Sequence, residues 1–262
     1  MKIVAIIPAR YNSSRFPGKP LADIGGMSMI NRVYSQAAKV FSNLYVATDD
    51  IRIFDEVKRF GGLPVMTSQD HQNGTSRVLE AMYKIERERG EEFDIVVNVQ
   101  GDEPFIEPEQ FNELLSGFDD SNAEIVTLVK KFEEEEDILN RNTPKVVFNR
   151  DRYALYFSRS PIPYVRECFE KEEWSKHFQF YKHVGIYGYK RNTLVKICNL
   201  QPSGLELAEN LEQLRWLESG FTIKVSETNR HTYAIDTLED IEKILPIFAR
   251  DLNLYEREGT GE

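Results

Sequence analysis

The sequence has little cysteine and no long apolar run. Only two of its 262 residues are cysteines, Cys168 and Cys198, and their spacing matches no metal-binding motif. The sequence therefore gives no reason to propose a disulfide scaffold or a zinc site, and two cysteines are typical of a reducing compartment. No segment reaches the ~18 consecutive apolar residues of a membrane-spanning helix, and MKIVAIIPAR lacks the apolar region of a signal peptide. We therefore expect a cytoplasmic protein that does not enter a membrane.

An excess of positive charge is also missing. The chain has 33 Lys and Arg residues against 43 Asp and Glu residues, a formal net charge of −10. General nucleic-acid and membrane-surface binders need a broad basic field, so both classes are disfavoured. Within this acidic chain, the stretch IIPARYNSSRFPGKP gathers Arg10, Arg15 and Lys19. Such a local group of cations favours a small anionic ligand.

Two common phosphate-binding patterns are absent. The pair Gly18-Lys19 suggests a Walker A loop, but that motif needs glycine where Ser13 stands and serine or threonine where Pro20 stands. The chain also has no G-x-G-x-x-G dinucleotide pattern. Phosphate binding by the early cations is still favoured over a solvated loop in which they pair with surface carboxylates.

Short apolar runs alternate with helical patterns in the first half of the chain. We predict strands at 2–7, 44–48, 63–67 and 94–100, and helices at 29–40, 50–62 and 75–89. This alternation predicts an α/β fold with a mostly parallel sheet covered by helices.

The second half is less regular. Further strands are predicted at 124–132, 183–190, 221–227 and 231–236, with a hairpin that turns at 149–152 and helices at 204–218 and 238–250. Segment 166–180 has mixed charges and is predicted to be a surface excursion. We interpret residues 1–250 as one α/β domain and 251–262 as a tail.

Polar residues follow several predicted strands at their carboxyl ends, where open parallel sheets bind ligands. Asp102 follows the strand at 94–100, after a glycine that permits a tight bend. It is placed either to hold Mg²⁺ or to cap a turn before Pro104. Asp236 begins an Asp-x-x-Glu pattern, and the local pattern favours a helix cap with Glu239 over a metal ligand, although one carboxylate can serve both.

Other candidates have two interpretations each. In the predicted helix 204–218, one face carries Leu207, Leu211 and Leu214, whereas another carries Glu206, Glu209 and Gln213. That polar face is either solvated or available to sugar hydroxyls. His183 and Tyr187 flank a glycine on one strand, which suits a polar ligand, but a lone strand histidine is more often structural. Arg159 suits a carboxylate ligand or a surface ion pair.

The motifs in their order resemble one family closely. They are IIPARYNSSRFPGKPL, ATDD, DHQNGTSR, VVNVQGDEP, KVVF, YALYFSRSPIP, HVGIYGYK, LEQLR and IDTLEDI. This order is similar to that of the 3-deoxy-manno-octulosonate (Kdo) cytidylyltransferases, from residue 2 to about residue 245. The resemblance implies a nucleotide-diphospho-sugar transferase fold, Mg²⁺ dependence, a homodimer, and transfer of CMP from CTP to Kdo for lipopolysaccharide synthesis.

The resemblance also implies roles for individual residues. Residues 1–130 would form the nucleotide-binding part and 131–235 a smaller β-rich lobe for sugar binding and dimerisation. Nucleotide contacts would come from Arg10, Arg15, Lys19, Gly74, Ser76, Arg77 and Gln100. Sugar contacts would come from Gln100, Arg159, His183, Tyr187, Glu209 and Gln213. Magnesium would be held by Asp102 and Asp236, which form the catalytic group with Lys19 and Arg10; this replaces the capping interpretation of Asp236.

Three other functions stay open from the sequence. They are a cytidylyltransferase for a related 2-keto acid sugar, such as a sialic acid or an 8-amino Kdo variant, a glycosyltransferase with Asp102 and Glu103 as its metal motif, and a silent nucleotide sensor. Pyrophosphate release from CTP that requires Kdo and Mg²⁺ separates them.

Overall fold

The chain forms two compact units, each built from β-strands and α-helices. The computed structural model describes residues 1–12, 16–133, 136–231, 233–235 and 237–246. The N-terminal unit comprises residues 4–92, 98–108 and 231 onward, and the central unit comprises residues 1–3, 93–97 and 109–230. Both combine strands with helices, so the predicted α/β class is confirmed.

Parallel strands organise the N-terminal unit. They are β1 (Ile3–Ala9), β2 (Leu44–Thr48) and β3 (Pro64–Met66). β2 pairs in parallel with both β1 and β3. The side chains of Val4 to Ile7 are fully buried, as expected for parallel strands covered by helices. The predicted strands at 2–7, 44–48 and 63–67 are therefore confirmed.

A helix follows each of these strands. The helices are α1 (Met29–Ala37), α2 (Ile51–Arg59) and α3 (Gly74–Arg89). α2 begins where the Asp50 carboxylate accepts the Arg52 N–H at 2.9 Å, and this cap satisfies one of the donors exposed at a helix start. α1 ends three residues earlier than the predicted Val40.

Residues 238–246 are also helical. At the helix start, the Thr237 N–H donates to the Asp240 carboxylate at 2.9 Å, and the Asp240 N–H donates to the Thr237 hydroxyl at 3.3 Å. This reciprocal capping box lies one position after the predicted Asp236–Glu239 pair. Residues 247–250, the predicted end of the helix, lie outside the described residues.

The central unit contains a mixed set of strands. They are β4 (Ile95–Asn98), β5 (Ile125–Lys131), β6 (Lys145–Phe148), β7 (Ala154–Ser158), β8 (Tyr181–Lys190) and β9 (Ile223–Glu227). The pairing order is β4-β8-β5-β9, in which β5 is antiparallel to β8 and parallel to β9. β6 and β7 form the predicted hairpin. Its turn is closed by the Asn149 side chain, which accepts the Tyr153 N–H at 2.9 Å.

The helices of the central unit are shorter. They are α4 (Pro108–Ser116), α5 (Trp174–His177), α6 (Arg191–Cys198), α7 (Gly204–Glu209) and α8 (Glu212–Glu218). We did not predict α4 or α6. Proline at the first position of α4 is a typical start signal, because its missing N–H has no partner there in any helix.

The predicted single helix at 204–218 is wrong. Asn210 has a left-handed backbone with φ 51°, which ends α7, and a new helix begins after Leu211. Leu211 is buried but Leu207 is 73% exposed, so they do not share the predicted apolar face. A left-handed asparagine is a common helix terminator.

Two further expectations need correction. Segment 166–180 is not only a surface excursion, because Trp174 and Phe180 are buried in a cluster with Phe132 and Ile138. The predicted strand at 231–236 is wrong for the residues that are described there, since 231 and 233–235 form no strand. Among the described residues, no helix is long and apolar enough to cross a membrane.

Candidate functional site

A polar cavity of about 240 Å³ lies in the N-terminal unit at the carboxyl end of β1. Three chain segments line it: the end of β1 with Arg10, the start of α3, and the turn that contains Asp102. Lys19 also lines it. Parallel strands place their carboxyl ends at one edge, so sequence-distant polar residues meet there. The prediction that Arg10, Lys19 and Asp102 share one location is confirmed.

Lys19 and Asp102 are joined in a small network. The Lys19 Nζ donates to the Asp102 Oδ2 at 2.8 Å and to the Ile235 carbonyl at 2.9 Å. The Ile235 N–H in turn donates to the Asp102 carbonyl at 2.9 Å. The two charged side chains are 14% and 33% exposed, so they stay open to the cavity. The network fixes a cation and a carboxylate side by side.

The start of α3 contributes backbone donors to the cavity lining. The Asn73 side chain accepts the Ser76 N–H at 2.9 Å and caps the helix. Gly74 lines the cavity, and a Cβ on it would lie 3.2 Å from the Pro8 side chain. The positive end of a helix dipole favours an anion. This arrangement suits a phosphate group near Gly74.

Arg77 lines the cavity but is committed to other groups. It is almost fully buried, and its guanidinium donates to Thr67 Oγ1 at 2.6 Å and to Asp49 Oδ2 at 2.8 Å. Arg10 differs, because it is exposed and no described residue forms an ion pair with it. Arg10 is therefore the more available of the two cations for a ligand.

Glu103 follows Asp102 but has a different environment. It is 7% exposed, and its Oε2 has no hydrogen-bond partner among the described residues. Burial, with a smaller contribution from the Asp102 charge, raises the pKa of Glu103 to about 8. The two neighbouring carboxyl groups therefore differ, since Asp102 is partly exposed to the cavity and Glu103 is buried.

His71 is a cavity residue that we did not select from the sequence. Its Nδ1 lies 3.1 Å from Ser76 Oγ, and its Nε2 contacts the Glu80 carboxylate. Burial acts to raise the pKa of Glu80, but hydrogen bonds from Lys84, the Ser68 N–H and His71 lower it to about 2. The only signal in the sequence was the position of His71 inside DHQNGTSR.

The predicted sugar-binding residues other than Gln100 lie in the central unit. Arg159 and Glu209 are joined by two hydrogen bonds: the Arg159 N–H donates to the Glu209 carboxylate at 2.8 Å, and the Arg159 Nε donates to the Glu209 carbonyl at 2.6 Å. Arg159 also donates to the carbonyls of Arg141 and Asn210. These bonds fix the end of β7 against the break between α7 and α8.

Lys145 supports the same group from inside the unit. Its side chain is fully buried, and its Nζ donates to the carbonyls of Asn140, Thr143 and Arg159 at 2.7–2.9 Å. Burial lowers the pKa of Lys145. A lysine in an otherwise apolar strand was the available signal, and we did not use it.

His183 and Tyr187 lie on one strand, as predicted, but closer together than a regular strand allows. Their ring centroids lie 5.3 Å apart, although a regular strand would separate residues four apart by roughly 13 Å. A β-bulge between Val184 and Tyr187 causes this approach. Burial lowers the pKa of His183 to about 3, so the imidazole is neutral near pH 7.

The central unit contains buried polar atoms without partners, one of them on Tyr187 itself. Among the described residues, Tyr187 Oη, Gln213 Nε2 and Trp216 Nε1 have no hydrogen-bond partner. The Tyr187 and Trp216 rings meet edge to face at 5.1 Å. Buried polar groups are nearly always satisfied in proteins. Unsatisfied ones beside a neutral histidine indicate a place for a polar ligand.

The remaining predicted site residues lie either in the N-terminal unit or outside the described residues. Gln100 lines the N-terminal cavity, and Ser76 lies in the first turn of α3. Gly101, between Gln100 and Asp102, must be small because a Cβ would lie 2.9 Å from the Pro8 carbonyl oxygen. Arg15 and Asp236 lie outside the described residues.

The known proteins to which this chain is similar are cytidylyltransferases. The cytidylyltransferase family model matches residues 4–229. A 3-deoxy-manno-octulosonate cytidylyltransferase of Parabacteroides distasonis is 53% identical over 253 residues, covering 95% of this chain and 99% of the relative. One of Bacteroides thetaiotaomicron is 52% identical over 245 residues, with coverages of 92% and 96%.

Solved structures show the same relationship. CMP:2-keto-3-deoxy-manno-octonic acid synthetase complexed with CTP matches with a TM-score of 0.86 and 42% identity, covering 96% of this chain and 100% of that chain. A cytidylyltransferase from Leptospira borgpetersenii has a TM-score of 0.62 at 16% identity, with coverages of 99% and 95%. At that identity the second match concerns the fold alone.

Proposed function

Because the chain belongs to the cytidylyltransferase family, we propose that it transfers CMP from CTP to the anomeric hydroxyl of Kdo and releases pyrophosphate. The observation that carries the proposal is the cavity of the N-terminal unit, where Arg10, Lys19 and Asp102 meet beside the start of α3. The product, CMP-Kdo, supplies the sugar for lipopolysaccharide synthesis.

The cations of the cavity bind the triphosphate. Arg10 offers forked donors and Lys19 a point charge, two arrangements suited to phosphate oxygens. The start of α3 adds backbone donors near Gly74. In the reaction, the hydroxyl oxygen of Kdo attacks the α-phosphorus in line and gives up its proton, while the bond from the α-phosphorus to the oxygen that bridges to the β-phosphate breaks and pyrophosphate leaves. Lys19 and Arg10 stabilise the negative charge that pyrophosphate carries away.

The residues of the cavity fit a magnesium ion. Asp102 presents a partly exposed carboxylate to the cavity. Among the described residues no group of three metal-ligating side chains occurs, but Mg²⁺ does not need three protein ligands. Mg²⁺ commonly takes one or two protein carboxylates and completes its shell with waters and substrate phosphates. We assign Asp102 as one ligand and Asp236 as a second. When bound, the ion neutralises phosphate charge and lowers the pKa of a coordinated hydroxyl.

Residues of the central unit bind the sugar acid. Arg159 is held beside Glu209, and the guanidinium offers charge to the Kdo carboxylate. The hydroxyl groups of the sugar meet His183, Tyr187 and Gln213. Tyr187 and Gln213 each carry a buried polar atom without a partner among the described residues. Support comes from the match of these residues to the family motifs and from the lowered pKa of the half-buried His183, which is neutral near pH 7.

We also propose that the protein acts as a cytoplasmic homodimer. The support is the family resemblance and the use of CTP, a cytoplasmic nucleotide. Light scattering of the purified protein tests the dimer: a mass of about twice 30.4 kDa is expected, and a monomeric mass contradicts it.

Pyrophosphate release tests the reaction. Purified protein is incubated with CTP and Mg²⁺, with and without Kdo, with 8-amino Kdo or sialic acid as alternative acceptors, and with EDTA as the metal control. We expect pyrophosphate and CMP-Kdo only when CTP, Kdo and Mg²⁺ are all present. Consumption of CTP with a different sugar alone, or use of a preformed CMP-sugar as donor, contradicts the proposal.

A further inference from the structure

Thr127 occupies the centre of the β-bulge in the central unit. Thr127 pairs with Tyr187 across β5 and β8, but the next residue, Leu128, pairs with Val184. Gly185 and Ile186 are therefore extra residues on β8 at this point. The Thr127 side chain is fully buried and points its hydroxyl into the gap that the bulge opens.

The hydroxyl of Thr127 has three neighbours within hydrogen-bond distance. The Ile186 carbonyl oxygen lies at 2.8 Å, the Val184 carbonyl oxygen at 3.2 Å, and the His183 Nε2 at 2.9 Å. A hydroxyl group has one proton to donate. Both carbonyls can only accept, and if the hydroxyl donated to His183 Nε2 instead, its lone pairs would face both carbonyl oxygens at 2.8 and 3.2 Å without a proton between them; the proton therefore goes to a carbonyl. Thr127 Oγ1 must then accept from His183 Nε2.

The hydrogen bonds of Thr127 place the proton of His183 on Nε2. A neutral imidazole carries one N–H, and the hydrogen bond of one nitrogen determines the role of the other. With its proton on Nε2, the ring presents a lone pair at Nδ1. No described residue hydrogen-bonds to that atom. The ring itself is held edge to face against Phe157, with centroids 5.1 Å apart.

We infer that Thr127 is a positioning residue that locks His183 in the Nε2–H tautomer, so that Nδ1 accepts a hydrogen bond from a hydroxyl of the sugar acid. This inference rests on the proposed function, because it assumes that His183 contacts the sugar. The opposite tautomer would present an N–H at Nδ1, which cannot accept the proton of that hydroxyl, so this hydrogen bond would be lost. The tautomer that Thr127 selects therefore determines whether His183 accepts a hydrogen bond from the sugar or donates one to it.

Nuclear magnetic resonance tests the tautomer without any substrate. The chain has four histidines, and the signals of His183 are assigned by their loss in a His183→Asn variant. Nitrogen shifts and long-range couplings of the imidazole should show a protonated Nε2 and an unprotonated Nδ1. In Thr127→Val, which keeps the shape and removes the hydroxyl, a substantial Nδ1–H population should appear. Thr127→Ser should restore the original pattern.

Steady-state kinetics then link the tautomer to the sugar. For Thr127→Val we expect the KM for Kdo to rise about five- to tenfold, the size of one lost hydrogen bond, with the KM for CTP unchanged. Thr127→Ser should recover most of the affinity. Thr193→Val, a buried threonine whose hydroxyl contacts Glu124, is the matched control and should change neither KM.

The outcomes separate this inference from the proposed function. An Nδ1–H tautomer in the unmodified protein, or an unchanged tautomer in Thr127→Val, overturns the inference even when CMP-Kdo is made. A shifted tautomer with an unchanged KM for Kdo also overturns it. If the protein makes no CMP-Kdo, the proposed function fails, while the resonance experiment still reports on the lock.

Discussion

The two groups of candidate site residues balance their charges in different ways. In the N-terminal unit, the Lys19 ammonium meets the Asp102 carboxylate at 2.8 Å, and both remain partly exposed. In the central unit, Lys145 is fully buried and its donors meet three carbonyls. A partly exposed ion pair contributes little to stability and exchanges partners readily. A buried ammonium with satisfied donors is costly to disturb.

The difference indicates a division of tasks. The N-terminal cavity has charges that can rearrange around an incoming triphosphate. The central unit holds Arg159 through hydrogen bonds to Glu209 and His183 against the Phe157 ring, a fixed arrangement that would suit the proposed sugar acid. Substitutions in the first group should therefore lower turnover and leave the fold intact. Substitutions in the second should alter stability and sugar affinity together.

The largest effect is expected for Lys19→Met. Loss of one positioned cation at a reacting phosphate should reduce kcat by roughly 10²–10³-fold. Stability should change by no more than about 1 kcal/mol, because the ion pair with Asp102 is partly exposed. Turnover assays and urea unfolding measure the two quantities. Lys39→Met, at an exposed lysine of the same unit, is the control, and an equally inactive control or an unfolded Lys19 variant would break the comparison.

Next in size is Lys145→Met. Three carbonyls would lose the donor that Lys145 supplies, and a fully buried side chain would be replaced, so the free energy of unfolding should fall by about 3 kcal/mol. Lys131→Met removes a lysine whose side chain is 49% exposed and paired with Glu227, and it should cost less than about 1 kcal/mol. Urea unfolding of both variants measures the contrast. Equal losses would show that Lys145 is not a special support of Arg159.

A smaller effect concerns pH and His183. Its folded pKa of about 3 lies below the ordinary histidine value of 6.5, so the unfolded chain binds more protons between these values and stability falls as pH falls. From pH 7 to pH 5 the loss should be up to about 2 kcal/mol. His183→Asn should remove that part of the pH dependence. His177→Asn, at an exposed histidine, should keep it, and identical pH profiles for all three proteins would contradict the assignment.

The smallest effect is expected for Gly101→Ala. The added Cβ would lie 2.9 Å from the Pro8 carbonyl, so the turn before Asp102 must shift. We expect a loss of about 1 kcal/mol in stability and about tenfold in kcat, because reacting groups tolerate little displacement. Gly204→Ala has no atom within 4 Å of the new Cβ and serves as the control. Normal turnover in Gly101→Ala would show that the close approach is unimportant.

Local patterns predicted the N-terminal unit well. Buried strands ended in polar residues, and the parallel arrangement then brought Arg10, Lys19 and Asp102 to one cavity, as expected from strand direction alone. The pairing of Arg77 with Asp49 was not visible, because both followed different strands and either could have faced a ligand. Packing determines whether two clustered charges pair with each other or stay open to a ligand.

The central unit was less predictable for specific physical reasons. The break at Asn210 depends on one left-handed residue inside a helical pattern, and asparagine occurs in both settings. The β-bulge that joins His183 to Tyr187 adds two residues without changing the apolar alternation. Thr127 is an ordinary strand residue by propensity. Its importance follows only from where three other atoms lie.

A crystal structure with CTP, Mg²⁺ and a non-reacting Kdo analogue tests the central claim most directly. We expect the triphosphate at Arg10, Lys19 and the start of α3, a metal ion on Asp102, and the sugar acid at Arg159 and His183, with a hydroxyl on His183 Nδ1. A triphosphate bound away from Lys19, or a sugar acid that contacts neither Arg159 nor His183, would contradict it.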